Sequence, residues 1–218
     1  MDRVISKKVA LCFAGLPRLT HQTEKTWKNF ICKYNADVYV HTWIIDENYR
    51  NTITKNIIES IHPKQFILEP VKQFDISKYN ERIWPYRSHP FNVLSMWYSI
   101  KEVIDLCSQS YDIICRARFD WLCPNLELID SIGLTVPDDP GLNNHHFTYN
   151  NQQYIGHNDQ FGYGTPEIMK IYANTFNRIP QLYNNGVDFC SELFLTANMI
   201  NEHIPITYQK KLNYRILK

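Results

Sequence analysis

Hydrophobic and polar positions change period several times along the chain, and the changes lay out a succession of elements. Val9-Ala10-Leu11-Cys12-Phe13-Ala14 is an unbroken apolar run closed by Gly15-Leu16-Pro17-Arg18, the pattern of a buried strand entering a loop. From Thr23 to Tyr34 the residues Trp27, Phe30, Ile31 and Tyr34 recur at helical spacing, and Ala36 to Trp43 is β-branched and aromatic, which predicts a second strand. Thr52 to His62 reads as a short amphipathic helix and Gln65 to Glu69 as a third strand. Strand, helix, strand, helix, strand in that order is the signature of a parallel sheet with helices on its faces.

The next stretch, Val71 to Pro90, is polar, aromatic and punctuated by proline, so it predicts a long loop, and loops of that length in compact domains usually serve function. A strong helix follows: Val93, Met96, Trp97, Ile100, Val103, Ile104 and Cys107 form one apolar stripe, with Asn92 placed as its cap. Tyr111-Asp112-Ile113-Ile114-Cys115 predicts another buried strand, and Gly133 to Tyr154 is expected to be irregular. A strand at Gln160–Gly164, a helix starting near Thr165-Pro166-Glu167 and a helix from about Asp188 to His203 complete the reading. The expectation is a single α/β domain over residues 1–218, with a mostly parallel sheet flanked by helices.

Composition narrows the partners. A net charge of +1 gives no broad basic field, so a non-specific nucleic-acid binder is not expected and any anion site must be local. No apolar stretch has the length of a membrane span, and residues 1–8 lack the apolar core of a secretory signal, which points to the cytoplasm. The six cysteines show neither CxxC pairs nor Cys/His zinc spacing and read as reduced, small hydrophobes.

Chemistry concentrates in Arg116-Ala117-Arg118-Phe119-Asp120-Trp121, which follows the predicted strand ending at Cys115. Open α/β sheets bind ligands beyond the carboxyl ends of their strands. Guanidinium suits phosphate, and a lone carboxylate suits a hard divalent cation, so Arg116, Arg118 and Asp120 together suit a metal-bound diphosphate; the plainer reading is a salt bridge between Asp120 and one of the arginines. Gly15 and Arg18 in the first strand's loop, and His41 and Thr42 at the end of the second, lie on the same sheet edge and are candidates for contact with a nucleotide or sugar. Arg87 in the long loop is a further phosphate candidate. Asp159, after a polar loop, and Glu192, on a helix among apolar residues, are candidate general bases, with an Asx turn the alternative for Asp159.

Taken in order, Phe13–Arg18, Ala36–Trp43, Ser95–Ile100, Arg116–Asp120 and Asn158–Gly164 resemble segments of glycosyltransferases of the GT-A type found in large DNA viruses and in bacterial surface-polysaccharide loci. The resemblance implies a GT-A, Rossmann-like fold, a nucleotide-diphosphate sugar as donor and a glycan or glycoconjugate as acceptor. It also implies a divalent metal, Mn or Mg, on an acidic motif after a central strand, here carried by Asp120. The common motif is Asp-any-Asp, whereas this chain has Arg118-Phe119-Asp120, with arginine in place of the first acid. Sugar transfer, inverting with Asp159 or Glu192 as base and with a retaining outcome left open, is the expected activity; a catalytically degenerate sugar-nucleotide or glycan-binding module is the alternative. A nucleotidyltransferase would want a Gly-rich basic loop after the first strand, of which Gly15-Leu16-Pro17-Arg18 is a poor version.

Overall fold

A computed structural model describes residues 7–18, 21–79, 82, 89–107, 110–139 and 146–217. The order of the first elements is as expected, strand β1 (Val9–Ala14), helix α1 (His21–Tyr34), strand β2 (Asp37–Ile44), helix α2 (Glu47–Ile61) and strand β3 (Gln65–Pro70), although α2 starts well before Thr52. Helix α3 (Pro90–Asp105) then leads to β4 (Ile113–Ala117) and the two-residue strand β5 (Trp121–Leu122). The α3 cap is His89, not Asn92: its Nδ1 accepts from the Phe91 amide, and Pro90 at the first helical position has the φ a helix start needs.

The stretch expected to be irregular holds three strands, β6 (Leu134–Pro137) and the hairpin β7 (His146–Tyr149) with β8 (Gln152–Ile155), whose turn at Asn150 and Asn151 has positive φ at both residues. Then come β9 (Phe161–Gly164), α4 (Pro166–Ala173), α5 (Thr175–Asn184), α6 (Ser191–Asn201), β10 (Ile206–Gln209) and β11 (Arg215–Ile216). Seven strands form one sheet in the order β10-β6-β9-β4-β1-β2-β3, and β9 alone runs antiparallel to its neighbours. The fold is thus α/β, with a mixed, mostly parallel sheet between helices.

Every residue of β1 is buried, and its side chains divide by pleat. Val9, Leu11 and Phe13 join a core with Trp27 and Phe30 of α1 and with Val38 and Val40 of β2; Ala10, Cys12 and Ala14 face the larger core built with α3, α4 and α6. Burial on both faces explains the unbroken apolar run. Five cysteines are buried in these cores and Cys32 is exposed.

Two details position the site. Strand β4 runs two residues further than predicted, so Arg116 lies inside the sheet, opposite Cys12 on β1 and Gly162 on β9. Strand β11 pairs with β5, and the Leu217 amide donates to the Asp120 carbonyl at 2.9 Å, so residues 215–217 strap the turn that follows β4. No helix among the described residues is long and apolar enough to cross a membrane.

Candidate functional site

The carboxyl ends of β1, β2 and β4 open on a cavity of about 420 Å³. Gly15 and Arg18 line it from the first loop, Trp43 and Ile45 from the end of β2, Asn92, Ser95 and Met96 from α3, and Arg116, Arg118, Phe119 and Asp120 from β4 and its turn. A second cavity of about 170 Å³ lies against the first and shares Asn92, Met96 and Arg118 with it; Val93, Asp159, Gln160, Ser191 and Glu192 also line it. Two clefts with one arginine in common therefore stand at the sheet edge that the sequence marked.

Gly15 ends β1 with φ +102°, a conformation that glycine alone adopts without strain, and its amide donates to the His41 carbonyl at 3.1 Å and to Ser99 Oγ at 2.9 Å. The imidazole of His41 is fully buried, with Nε2 2.8 Å from Glu69 Oε1 and Nδ1 2.7 Å from Ser99 Oγ. Burial pushes its pKa below the usual histidine value, Glu69 opposing, so the ring is neutral at pH 7. With the Glu69 oxygen as acceptor the ring proton sits on Nε2, and Nδ1 accepts from the Ser99 hydroxyl. The chain Gly15 N–H to Ser99, Ser99 to His41, His41 to Glu69 thus ties three strands and α3 to the mouth of the larger cavity. His41 and Thr42, expected at the ligand, are both fully buried and line neither cavity; both ring nitrogens of His41 are spent on the scaffold. Trp43, one residue on, takes the wall position instead.

Arg116 is fully buried. Its Nη1 donates to the Asp159 carbonyl, while Nε and Nη2 have no hydrogen-bond partner. Burial lowers its pKa, and the fields of Tyr172 and Asp159 oppose that effect. Arg118 is one-third exposed and grips Asp120 with both arms, Nε to Oδ1 at 2.8 Å and Nη2 to Oδ2 at 2.9 Å, contacts that raise the pKa of its guanidinium. The salt bridge considered for Asp120 is therefore present, and it is bidentate.

That pairing decides how Mn or Mg fits. Asp120 is 4% exposed and has both oxygens engaged by a guanidinium, and three arginines line its cavity. Among the described residues no group of three or more His, Cys, Asp or Glu side chains gathers to hold a metal ion. The donor set does not fit a resident divalent cation.

In the second cavity Asp159 and Glu192 are both buried. Ser191 donates to Asp159 Oδ2, Tyr172 donates to the Asp159 carbonyl at 3.3 Å, and Cys190 Sγ lies 3.0 Å from Glu192 Oε2. The Gln160 amide donates to Asn158 Oδ1 at 2.8 Å, so an Asx turn does occupy this loop, but it is made by Asn158 and leaves the Asp159 carboxylate to the cavity. Arg87 lies outside the described residues. Val71, from the start of the same loop, lines the larger cavity, and Arg82 secures the loop by donating to the Tyr183 carbonyl and stacking on the Tyr183 ring. Sequence reasoning missed Asn92, Ser95 and Met96, although their spacing puts them on one face of α3; Ser95 Oγ is buried there without a hydrogen-bond partner.

No protein-family model and no curated protein sequence matches the chain. Among solved structures, an active-site mutant of LgtC aligns over 92% of this chain and 72% of its own length, with TM-score 0.54 and 13% identity. The galactosyltransferase LgtC in complex with donor and acceptor sugar analogs aligns over 87% and 69%, with TM-score 0.50 and 12% identity. Mouse xyloside xylosyltransferase 1 aligns over 93% and 84% with TM-score 0.46 and 9% identity. The α/β architecture described above is the one found in GT-A glycosyltransferases.

Proposed function

We propose that this chain is a glycosyltransferase that moves a sugar from a nucleotide-diphosphate donor to a hydroxyl of a glycan or glycoconjugate. One observation carries the reading: Arg118 lines both cavities, one holding a surplus of guanidinium groups and the other two buried carboxylates. A donor diphosphate in the larger cavity and an acceptor hydroxyl in the smaller one meet at that residue. The acceptor proton passes to Asp159 or Glu192, and its oxygen bonds to the anomeric carbon. The bond from that carbon to the diphosphate breaks, and the electron pair leaves on a phosphate oxygen facing the arginines. Attack opposite the leaving group inverts the anomeric configuration. The exposed apolar rim at Ile45 and Val71 suits the flat face of the base.

The test is release of nucleoside diphosphate from a panel of nucleotide sugars, with and without oligosaccharide acceptors. Slow donor hydrolysis that an acceptor accelerates supports a transferase. Binding of a donor with no turnover under any condition leaves the binding-module reading, which the arginine in place of the first acid favours. Neither binding nor turnover across the panel refutes both.

A further inference from the structure

The disagreement between an expected metal anchor and the observed Arg118–Asp120 pair has a consequence for donor binding. Among the described residues, Arg18, Arg116, Arg118 and Asp120 are the charged ones lining the larger cavity, three cations and one anion, a surplus of two positive charges. A sugar diphosphate carries about two negative charges, one per phosphate. The cavity therefore matches the donor without help, and a bound divalent ion would leave it over-neutralised. Arg116 is suited to receive a phosphate, because its charge is fully buried, two of its nitrogens lack partners, and its Nη1 hydrogen bond runs to a carbonyl, not a carboxylate.

We propose that donor binding in this chain is independent of divalent metal, and that Asp120 acts as a counter-ion which holds Arg118 until the diphosphate takes it over. This rests on the donor reading above. On binding, a phosphate oxygen replaces Asp120 as acceptor for Arg118, a partner exchange that moves one guanidinium and breaks no covalent bond. The two roles for Asp120 predict opposite signs. A metal anchor loses donor affinity when its carboxylate is neutralised. A counter-ion that competes for Arg118 gains donor affinity when it is neutralised.

The experiment is titration calorimetry of the full chain with uridine, guanosine, adenosine and cytidine diphosphate sugars, in EDTA and then in Mn or Mg. The expected result is one or more diphosphate sugars binding in EDTA with a Kd within about twofold of that in metal; for Asp120→Asn the Kd in EDTA tightens by about threefold or more, and for Arg118→Met it weakens by about tenfold or more. Thermal melting of each variant checks that it is folded, and Arg118→Lys, which keeps the charge but loses the fork, falls between wild type and Arg118→Met. Binding that appears only with Mn or Mg, or an Asp120→Asn variant that is folded and binds more weakly, overturns the proposal and leaves the donor reading standing. No binding of any diphosphate sugar in either condition overturns both.

Discussion

Ser99→Ala isolates the scaffold beneath the Gly15 loop. The hydroxyl accepts from the Gly15 amide at 2.9 Å and donates to His41 Nδ1 at 2.7 Å, and both Ser99 and His41 are fully buried. Removing it does not orphan Gly15, whose amide keeps the His41 carbonyl at 3.1 Å. It does orphan Nδ1, and the ring cannot escape by moving its proton there, because Nε2 would then face the Glu69 carboxylate as a second acceptor. A buried nitrogen left unpaired costs about 1–3 kcal/mol. For a chain of this length each kcal/mol lowers Tm by about 2–4 °C, so calorimetry should find Ser99→Ala melting about 2–12 °C below wild type. A cycle with His41→Leu sharpens the test: with both partners apolar there is no Nδ1 left unpaired, and Glu69, about a third exposed, loses its Nε2 donor equally in the single and the double variant, so the double variant should be less destabilised than the sum of the singles. In a transfer assay the loosened Gly15 loop should raise donor KM more than it lowers kcat. A Tm within about 1 °C of wild type, or strict additivity in the cycle, would refute the chain of hydrogen bonds and the tautomer assigned to His41.

Three further outcomes are expected. Asp159→Asn keeps an oxygen for Ser191 but removes a proposed base, so kcat should fall by about 10²–10⁴-fold with donor Kd little changed; equal loss of both would make Asp159 structural. Burial lowers the pKa of His157 to about 4 and lowers that of His41 as well, so the unfolded chain takes up protons that these rings in the folded chain refuse. Their stabilisation is complete above pH 6.5, the unfolded value, and is lost as pH falls from there toward 4; Tm measured across that range should drop, and His157→Asn should flatten the slope. Phe161 is fully buried and stacks on Trp121 at 4.7 Å with the planes 4° apart, so Phe161→Ala should cost about 3–5 kcal/mol in denaturant unfolding.

The parallel half of the sheet was legible because β1 to β3 are runs of apolar and β-branched residues separated by helical periodicity, where local pattern and burial agree. Disagreement came where one residue contradicts its element. Arg116 reads as a strand end because a charge rarely sits in a sheet interior, yet the strand continues through it, with Gly162 opposite on β9. Pro180 and the polar residues around it hide α5, which carries the proline inside the helix. Strands β10 and β11 are too short, and too dependent on partners far along the chain, for a local pattern to reveal. In the site, the edge of the sheet and its arginines were readable from sequence. The allocation of roles was not: a histidine at a strand end looks the same whether its ring meets a ligand or, as here, Ser99 and Glu69, and only the fold brings those two to it.

The position of Arg116 also bears on how the chain is made. Strands β4, β1, β2 and β3 lie side by side and all fall within residues 9–117, so they can pair as soon as they are synthesised. The strand that covers the other side of β4 is β9, which starts at Phe161. At about 5–20 residues per second, β4 stands as an open edge for roughly 2–9 s while the residues between are added. An uncovered apolar edge invites pairing with a neighbouring chain, and a charged side chain on it is a known deterrent. During those seconds, Arg116 makes the half-built sheet a poor template for aggregation.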